Sequence, residues 1–331
     1  MSWHSNVGTS ERCINYLRLS VTDRCNLRCR YCMGEEGIQR IPHDEILTYE
    51  EFLRIIRLTV QRGIRKVRIT GGEPLIRKGL PTFIHHVSIK TGVEEITLTT
   101  NGVLLEEYAE RLWANGIRRV NVSMDSLDPK RFEFITGRNV FHKVWAGIRE
   151  TQRLGFDPIK LNVVVIKGWN DDEVLDFARL TYDAPYHVRF IEYMPLGGPI
   201  DWRSDLVVPA EELLRRIEAL GDLSKLDRST TDGPASRYKL AGARGTIGFI
   251  SAITHGFCSS CNRLRLTAEG KLRTCLFSNV ETDLKSPMRN GAGDEELLDI
   301  MDRAVANKPR GHGLAEEATP ALNRRMWGIG G

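Results

Sequence analysis

The 331-residue chain lacks any hydrophobic run long enough to cross a membrane. Its N-terminus also lacks the basic segment followed by an apolar stretch that an export signal requires. We therefore expect a cytoplasmic protein with no membrane partner. The formal net charge is only +4, which is too small to indicate nucleic-acid binding, so we expect no nucleic-acid partner.

Cysteines are few, and their grouping argues against a disulfide framework. The chain has seven cysteines, six of which fall into two sets that are far apart in the sequence. In a reducing compartment, clustered thiolates bind metal rather than pair with one another. Cys13 stands apart from both sets, and we interpret it as a plain buried or free thiol.

The first set is Cys25, Cys29 and Cys32, with the spacing C-x3-C-x2-C. Three thiolates on one short loop can hold a polynuclear centre, and they are one ligand too few for a closed four-iron cube. One iron would then stay open for a small molecule. The alternative is a zinc site completed by His43, although structural zinc sites more often use two C-x2-C pairs.

The second set is Cys258, Cys261 and Cys275, which again offers three thiolates. Without a neighbouring fourth cysteine, this set favours a second cluster with one open iron. A zinc site closed by His255 is the alternative, and the spacing alone leaves it open.

An alternation of strands and helices from about residue 14 to residue 220 predicts an α/β fold. Apolar and polar residues alternate along the strands, which indicates a curved sheet with helices outside and a wet interior. We therefore predict a partial (β/α)6 TIM-type barrel rather than an open doubly wound sheet. The predicted strands are 14–20, 66–70, 95–99, 119–124, 160–166 and 187–193, and the predicted helices are 49–62, 80–90, 105–115, 143–154 and 171–181.

The rhythm changes after Gly221, which predicts two domains. Residues 1–223 would form the barrel, and residues 224–331 a smaller C-terminal α+β domain. We expect a connector at 224–236, short strands within 237–250 and 263–275, a helix at 294–306 and an irregular tail from residue 307 onwards.

Six cations are expected on the polar faces of these strands, lining one hollow. Such crowding would destabilise the fold unless an anion lies between the cations, and guanidinium groups suit phosphate oxygens, so the pattern indicates a polyphosphate ligand. The alternative is pairing with Glu73, Asp125 or Glu192. The six are Arg18, Arg68, Lys160, Arg189, Arg263 and Arg265.

Several segments occur in a recognisable order along almost the whole chain. They are Arg18, the first cysteine set, Thr-Gly-Gly-Glu-Pro (70–74), Leu-Thr-Thr-Asn-Gly (98–102), Asn-Val-Ser-Met-Asp (121–125), Arg-Phe-Ile-Glu-Tyr-Met (189–194), Phe-Cys-Ser-Ser-Cys-Asn-Arg-Leu-Arg (257–265) and a terminal Gly-Gly. In this combination the chain resembles the GTP 3′,8-cyclases of molybdenum cofactor biosynthesis, a family of radical S-adenosylmethionine (SAM) enzymes.

The resemblance implies two [4Fe-4S] clusters, one on each cysteine set, with SAM at the first and GTP at the second. It implies SAM contacts from Tyr31, Gly72, Ser123 and Met194. The implied GTP-binding residues are Arg18, Arg68, Thr99, Lys160, Arg189, Arg263, Leu264 and Arg265.

The resemblance also implies the reaction, which is that of a lyase. A 5′-deoxyadenosyl radical would take hydrogen from ribose C3′, and C3′ would attack guanine C8 to give 3′,8-cyclo-7,8-dihydro-GTP. Catalytic roles are implied for Arg18, Arg263, Arg265, Gly330 and Gly331. The implied partners are an electron donor of the flavodoxin or ferredoxin type and the cyclic pyranopterin monophosphate synthase that would receive the product; a homodimer is left open.

Two other functions compete with this interpretation. One is a different radical SAM enzyme with an auxiliary cluster, such as a peptide maturase, although such enzymes usually carry more cysteines in the C-terminal domain. The other, from a different class, is a binding module stapled by zinc.

Overall fold

A computed structural model describes residues 2–7, 10–33, 40–200, 202–227, 233–311, 322 and 324–330. Its centre is one twelve-stranded sheet, and a two-stranded antiparallel hairpin lies beside it. The strands are β1 (His4–Val7), β2 (Ser10–Cys13), β3 (Tyr16–Ser20), β4 (Lys66–Thr70), β5 (Glu95–Thr100), β6 (Val120–Ser123), β7 (Ile159–Val165), β8 (His187–Glu192), β9 (Leu223–Leu226), β10 (Ser236–Leu240), β11 (Thr246–Ile250), β12 (Arg263–Leu266), β13 (Lys271–Arg273) and β14 (Thr282–Asp283).

The six strands β3 to β8 lie side by side in chain order and are all parallel. This confirms the predicted six-strand α/β unit, with strand limits within two residues of those expected. Helices cover the crossovers, as right-handed β-α-β connections require. The helices are α1 (Tyr49–Gln61), α2 (Leu80–Lys90), α3 (Leu105–Ala114), α4 (Pro129–Thr136), α5 (Phe141–Arg153), α6 (Val174–Asp183), α7 (Ala210–Ile217), α8 (Lys285–Arg289) and α9 (Asp294–Ala306).

Local sequence signals explain where these helices begin. Thr48 precedes α1 and forms a capping box with Glu51, in which each side chain accepts from the other residue's backbone N–H. Asp128 caps α4 by accepting from Arg131 N at 2.7 Å. Helix α4 was not predicted; it has only eight residues and follows β6 after the short segment 124–128.

The C-terminal strands extend both edges of the barrel sheet. Strand β12 pairs in parallel with β3 at one edge, and β11 pairs in parallel with β8 at the other. The predicted connector at 224–236 was wrong at its start, because Leu223–Leu226 forms strand β9 against β10. The proposed boundary at residue 223/224 therefore falls within a strand, and the division into two domains stays a prediction.

The barrel strands alternate between core and cavity, as their sequence pattern indicated. In β4, Val67 and Ile69 are completely buried in the main hydrophobic core, whereas Arg68 faces a cavity inside the curved sheet. No helix in the described part of the chain has the length and apolarity needed to span a bilayer. Within the tail, Met326–Gly328 forms one 3-10 turn, where the sequence predicted no regular structure.

Candidate active site

A cavity of about 510 Å³ lies inside the curved sheet, within the range of about 300–1,000 Å³ usual for ligand pockets. All six predicted cations line it, together with Lys66, Arg119 and Arg237, which the sequence analysis missed. The six are Arg18, Arg68, Lys160, Arg189, Arg263 and Arg265.

Three of these arginines form a row across neighbouring strands. Arg18 on β3 lies directly opposite Arg68 on β4 and Arg265 on β12. Neighbouring strands are about 4.7–4.9 Å apart, and like charges placed opposite one another are destabilising. The row therefore provides a concentrated positive field that an anionic ligand would neutralise.

The three carboxylates that were the alternative partners of the six cations, Glu73, Asp125 and Glu192, accept hydrogen bonds from other groups. Glu73 is completely buried and accepts from Leu75 N at 3.0 Å, Thr100 Oγ1 at 2.7 Å and Asn101 N at 2.7 Å. Burial raises the pKa of Glu73 to about 7, against the lowering effect of these hydrogen bonds. Glu73 thus organises the turns that follow β4 and β5.

Asp125 and Glu192 are held in the same manner. Asp125 accepts from Tyr31 Oη and Val164 N, at 2.7 and 2.8 Å, and burial raises its pKa to about 6. Glu192 accepts from the backbone N–H groups of residues 210, 253 and 254, at 2.8 to 3.0 Å. Each of these hydrogen bonds comes from a neutral donor, so none of them is an ion pair with a cavity cation.

The pKa values of the cavity cations reflect this crowding. Burial, followed by repulsion from Arg189 and Arg68, lowers the pKa of Lys160 to about 6. Burial lowers the pKa of Arg18 to about 10, with a further contribution from Arg68 and Arg263. Both sites would hold a proton more firmly once an anion lies beside them.

Tyr16 is a buried phenol within the cationic row that the sequence analysis did not single out. Its hydroxyl accepts from Arg68 Nε, and Arg68 Nη1 donates to Thr99 Oγ1 at 3.2 Å. Burial favours the neutral phenol, but Arg68, Arg18 and Lys66 together lower its pKa to about 8. Tyr16 and Thr99 thereby fix the direction of the Arg68 guanidinium.

The first cysteine set lines the cavity directly. Leu27 N and Asn101 Nδ2 donate to Cys25 Sγ at 3.4 and 3.7 Å, and Trp327 N donates to Cys32. Burial raises the pKa of Cys25 to about 11 and of Cys32 to about 12. In Cys29 burial again dominates, with a further increase from the other two thiols of the set, so the three sulfurs lie close enough to interact.

The donor set fits an iron–sulfur cluster better than zinc. Within the described ranges, no three His, Cys, Asp or Glu side chains are arranged to hold a single ion. Cluster thiolates bind separate irons and therefore stand further apart than the ligands of one ion. His43 is exposed, and His255 is engaged through both ring nitrogens, at 3.1 Å from Glu211 Oε1 and 3.1 Å from Thr254 Oγ1.

The second cysteine set adjoins the cavity without lining it. Phe257 and Leu276, the chain neighbours of Cys258 and Cys275, are among the lining residues. The Cys261 thiol is partly buried, and its desolvation alone would raise its pKa, but Arg263 and Lys308 lower it to about 6. The electrostatic environment of Cys261 therefore favours its thiolate form.

The four residues expected to contact SAM all line the cavity: Tyr31, Gly72, Ser123 and Met194. The structure gives Gly72 an additional reason to be glycine. A Cβ there would lie 2.3 Å from the carbonyl oxygen of Arg24, in the loop that leads to Cys25. Gly72 thus lets the cluster loop pack against the end of β4.

The end of the chain enters the cationic row. Arg18 Nε and Arg265 Nη1 donate to the carbonyl oxygen of Gly330, at 3.2 and 2.9 Å. Gly330 has φ +76°, and a Cβ there would lie 2.5 Å from Thr70 Oγ1, so glycine is required on both counts. Gly331 lies outside the described residues.

Leu264 is placed differently from the other residues expected to bind GTP. Its side chain is completely buried in the hydrophobic core, on the opposite face of β12 from Arg263 and Arg265. Any contact of Leu264 with a ligand is therefore left to its backbone.

Comparison with known proteins finds two family models in succession. Residues 19–181 match the Radical SAM superfamily, and residues 186–314 match Molybdenum Cofactor Synthesis C. The chain is similar to the GTP 3′,8-cyclase of Heliobacterium modesticaldum, at 50% identity over 97% of this chain and 98% of that protein. The GTP 3′,8-cyclase of Moorella thermoacetica is 48% identical over 92% of this chain and 94% of that protein.

Among solved structures, the fold is similar to that of SuiB from Streptococcus suis bound to S-adenosylmethionine. The TM-score is 0.57, with 15% sequence identity over 95% of this chain and 77% of that chain. The structure of SuiB with its precursor peptide SuiA gives a TM-score of 0.58 at 14% identity, over 93% of this chain and 69% of that chain. At this level of identity the similarity concerns the fold alone.

Proposed function

The chain belongs to the GTP 3′,8-cyclase family of radical SAM enzymes, and we propose that its cationic cavity converts GTP to 3′,8-cyclo-7,8-dihydro-GTP. The reaction joins ribose C3′ to guanine C8 and is the first step of molybdenum cofactor synthesis. The observation that carries this proposal is the arginine row beside the first cysteine set, inside one cavity.

The triphosphate of GTP suits the cations better than a peptide would. Arg18, Arg68 and Arg265 offer adjacent guanidinium groups, whose planar donors match phosphate oxygens. Lys160 and Arg189 face the same cavity from β7 and β8. We assign these five residues, with Arg263 and Thr99, to holding GTP so that its ribose is turned towards the first cysteine set.

Cys25, Cys29 and Cys32 would hold the first cluster, which supplies the electron that releases the 5′-deoxyadenosyl radical from SAM. Tyr31, Gly72, Ser123 and Met194 would orient SAM, since all four line the cavity near these thiols. Binding in one cavity would hold both reactants in one geometry and limit the access of water to the reacting atoms.

Cys258, Cys261 and Cys275 would hold a second [4Fe-4S] cluster, whose open iron would bind the guanine base. Two observations support this second cluster. The three thiols adjoin the cavity, and Arg263 both lines the cavity and lies close enough to Cys261 to lower its pKa. Gly330, and by the resemblance Gly331, would help to organise Arg18 and Arg265 for catalysis. Leu264 would take part only through its backbone.

Several finer features belong to the same proposal. The electron donor would be of the flavodoxin or ferredoxin type, and the product would pass to the cyclic pyranopterin monophosphate synthase. A cytoplasmic location suits the reduced cysteines that both clusters require. A homodimer is compatible with these roles.

The direct test is anaerobic incubation of reduced protein with SAM and GTP, followed by mass spectrometry. We expect GTP-dependent 5′-deoxyadenosine and 3′,8-cyclo-7,8-dihydro-GTP. Arg263→Ala or Arg265→Ala should weaken GTP binding while SAM binding persists, and Arg244→Ala, at an exposed surface position, should behave as wild type. If no 5′-deoxyadenosine depends on GTP, the cyclase assignment fails; if SAM and GTP binding fall equally, the roles of Arg263 and Arg265 are wrong.

A further inference from the structure

Lys308 is a buried ammonium group placed between the two segments that carry the second cysteine set, the turn with Cys258 and Cys261 and the segment with Cys275. It follows α9 and is only 6% exposed. Its Nζ donates to the carbonyl oxygens of Arg263, at 3.0 Å, and Thr274, and it lies 3.7 Å from Cys261 Sγ. An ammonium has three donors and no acceptor, so these three acceptors use its full capacity.

The two carbonyl oxygens that accept from Lys308 lie close in sequence to cysteines of the second set. Arg263 lies two residues after Cys261, and Thr274 immediately precedes Cys275. Lys308 thus connects the start of β12, which follows Cys261, to the residue that precedes Cys275.

Arg12 supplies the corresponding contact at the third cysteine. Its Nη1 donates to the carbonyl oxygen of Cys258 at 3.1 Å, and its Nη2 donates to that of Pro309 at 3.1 Å. Because Pro309 follows Lys308 directly, Arg12 also holds the backbone beside Lys308 in place. Together they contact the chain at or beside all three cysteines of the set.

The charge of Lys308 matters as well as its geometry. A four-iron cluster held by three thiolates carries roughly one net negative charge when oxidised and about two when reduced. A buried cation nearby stabilises the more negative state, because charge interactions are weakly screened in a protein interior. Hydrogen bonds to cluster sulfurs act in the same direction.

We propose that Lys308 is a positioning residue of the second cluster, one that holds the two cysteine-bearing segments in place and raises the cluster's reduction potential. This inference rests on the second cluster of the proposed function. It assigns Lys308 no contact with GTP or SAM.

The test compares Lys308→Met with wild type by redox titration of the anaerobic holoenzyme, followed by electron paramagnetic resonance. The second cluster's signal is the one that remains when Cys25, Cys29 and Cys32 are replaced by serine. At a fixed potential we expect Lys308→Met to lower the reduced-to-oxidised ratio of this cluster at least tenfold, equivalent to about 59 mV for a one-electron couple. The first cluster should keep its potential, and Lys90→Met, at an exposed position on α2, should change neither.

A second variant separates charge from packing. Lys308→Arg keeps the charge, so it should retain iron and a potential near that of wild type, even if Lys308→Met loses the second cluster. An unchanged potential in iron-replete Lys308→Met, or an equal drop in both Lys308 variants, would overturn the proposal. A wild-type protein with no second signal would instead defeat the two-cluster assignment, which is a different result.

Discussion

At the scale of single residues, Lys160 shows how the crowding of cations in the cavity affects a pKa. Burial, followed by repulsion from the other cations of the cavity, lowers the pKa of its ammonium to about 6. Near pH 8 the free enzyme therefore holds Lys160 mainly as the neutral amine. A bound triphosphate removes the repulsion and draws a proton onto it.

We accordingly predict that GTP binding takes up protons at pH 8. The uptake should shrink as the pH falls below about 6, because Lys160 is then already protonated in the free enzyme. Binding enthalpies measured without reductant, in buffers of different ionisation heat, report the number of protons. Lys160→Met should remove the proton uptake by Lys160 and leave the uptake by Tyr16, whose pKa lies near 8.

Lys167→Met is the matched control, since Lys167 is exposed just beyond β7. It should leave the proton uptake as in wild type. A buffer-independent enthalpy in the wild type, or unchanged uptake in Lys160→Met, would contradict this account of the cavity.

The terminal glycines provide a second prediction at this scale. Gly330→Ala introduces a Cβ 2.5 Å from Thr70 Oγ1 at a residue with φ +76°, whereas a Cβ at Gly328 meets nothing within 4 Å. The left-handed conformation alone costs alanine about 1–2 kcal/mol. We expect product formation to fall roughly 5–30-fold in Gly330→Ala.

The same assay should find Gly328→Ala close to wild type. The strain should lower the stability of Gly330→Ala by no more than about 1–2 kcal/mol, because both substitutions leave the hydrophobic core intact. Equal activity in the two variants would show that the seating of Gly330 between Arg18 and Arg265 has no part in the reaction.

A cavity-lining residue could be predicted from the sequence only where strand alternation shows which face of the sheet its side chain occupies. Arg18, Arg68 and Arg265 alternate with apolar neighbours, so their shared face could be predicted. Tyr16 lies two residues before Arg18 on β3 and shares its face, so the same alternation could have found it. Lys308 could not be found this way, because its environment comes from loops that are distant in sequence and nothing local signals it.

At the scale of secondary-structure elements, the end of β8 connects the barrel to the second cysteine set. Glu192 accepts from Ala210 N at the start of α7 and from Ile253 N and Thr254 N in the segment that leads to Cys258. One buried carboxylate thus holds two elements in position.

Glu192→Gln replaces one acceptor oxygen with a donor that faces backbone N–H groups. Leaving buried polar groups unsatisfied costs about 1–3 kcal/mol, so we expect a lower unfolding temperature. The loosened segment should also reduce iron at the second set, from about eight irons per chain towards about four. Calorimetry and iron analysis check the two effects.

Glu211→Gln is the control, because Glu211 is exposed and contacts His255. It should leave stability and iron content almost unchanged. If Glu192→Gln keeps about eight irons per chain, the hydrogen bonds of Glu192 are not needed for assembly of the second cluster.

The elements that were predicted well are those with long, regular periodicity. Helix 80–90 and helix 294–306 match α2 and α9 at both ends, because their apolar faces repeat over three turns or more. Strand β9 was missed because only four residues pair, in a polar segment. Its strand character comes from the partner β10, not from its own residues.

At the scale of the whole molecule, one sheet carries residues from both ends of the chain to one cavity. Strand β12 places Arg265 beside Arg18, and the tail returns to place Gly330 between them. The sequence predicted a separate C-terminal unit facing the barrel. It did not indicate that this segment extends the barrel sheet at both edges, because strand pairing over such distances leaves no local pattern.

The central claim is that two three-cysteine sets hold two clusters beside one cationic cavity, and anaerobic metal analysis tests it most directly. We predict about eight irons per chain, falling to about four when either set is replaced by serine. A colourless protein that contains zinc, or a wild type with only about four irons, would contradict it.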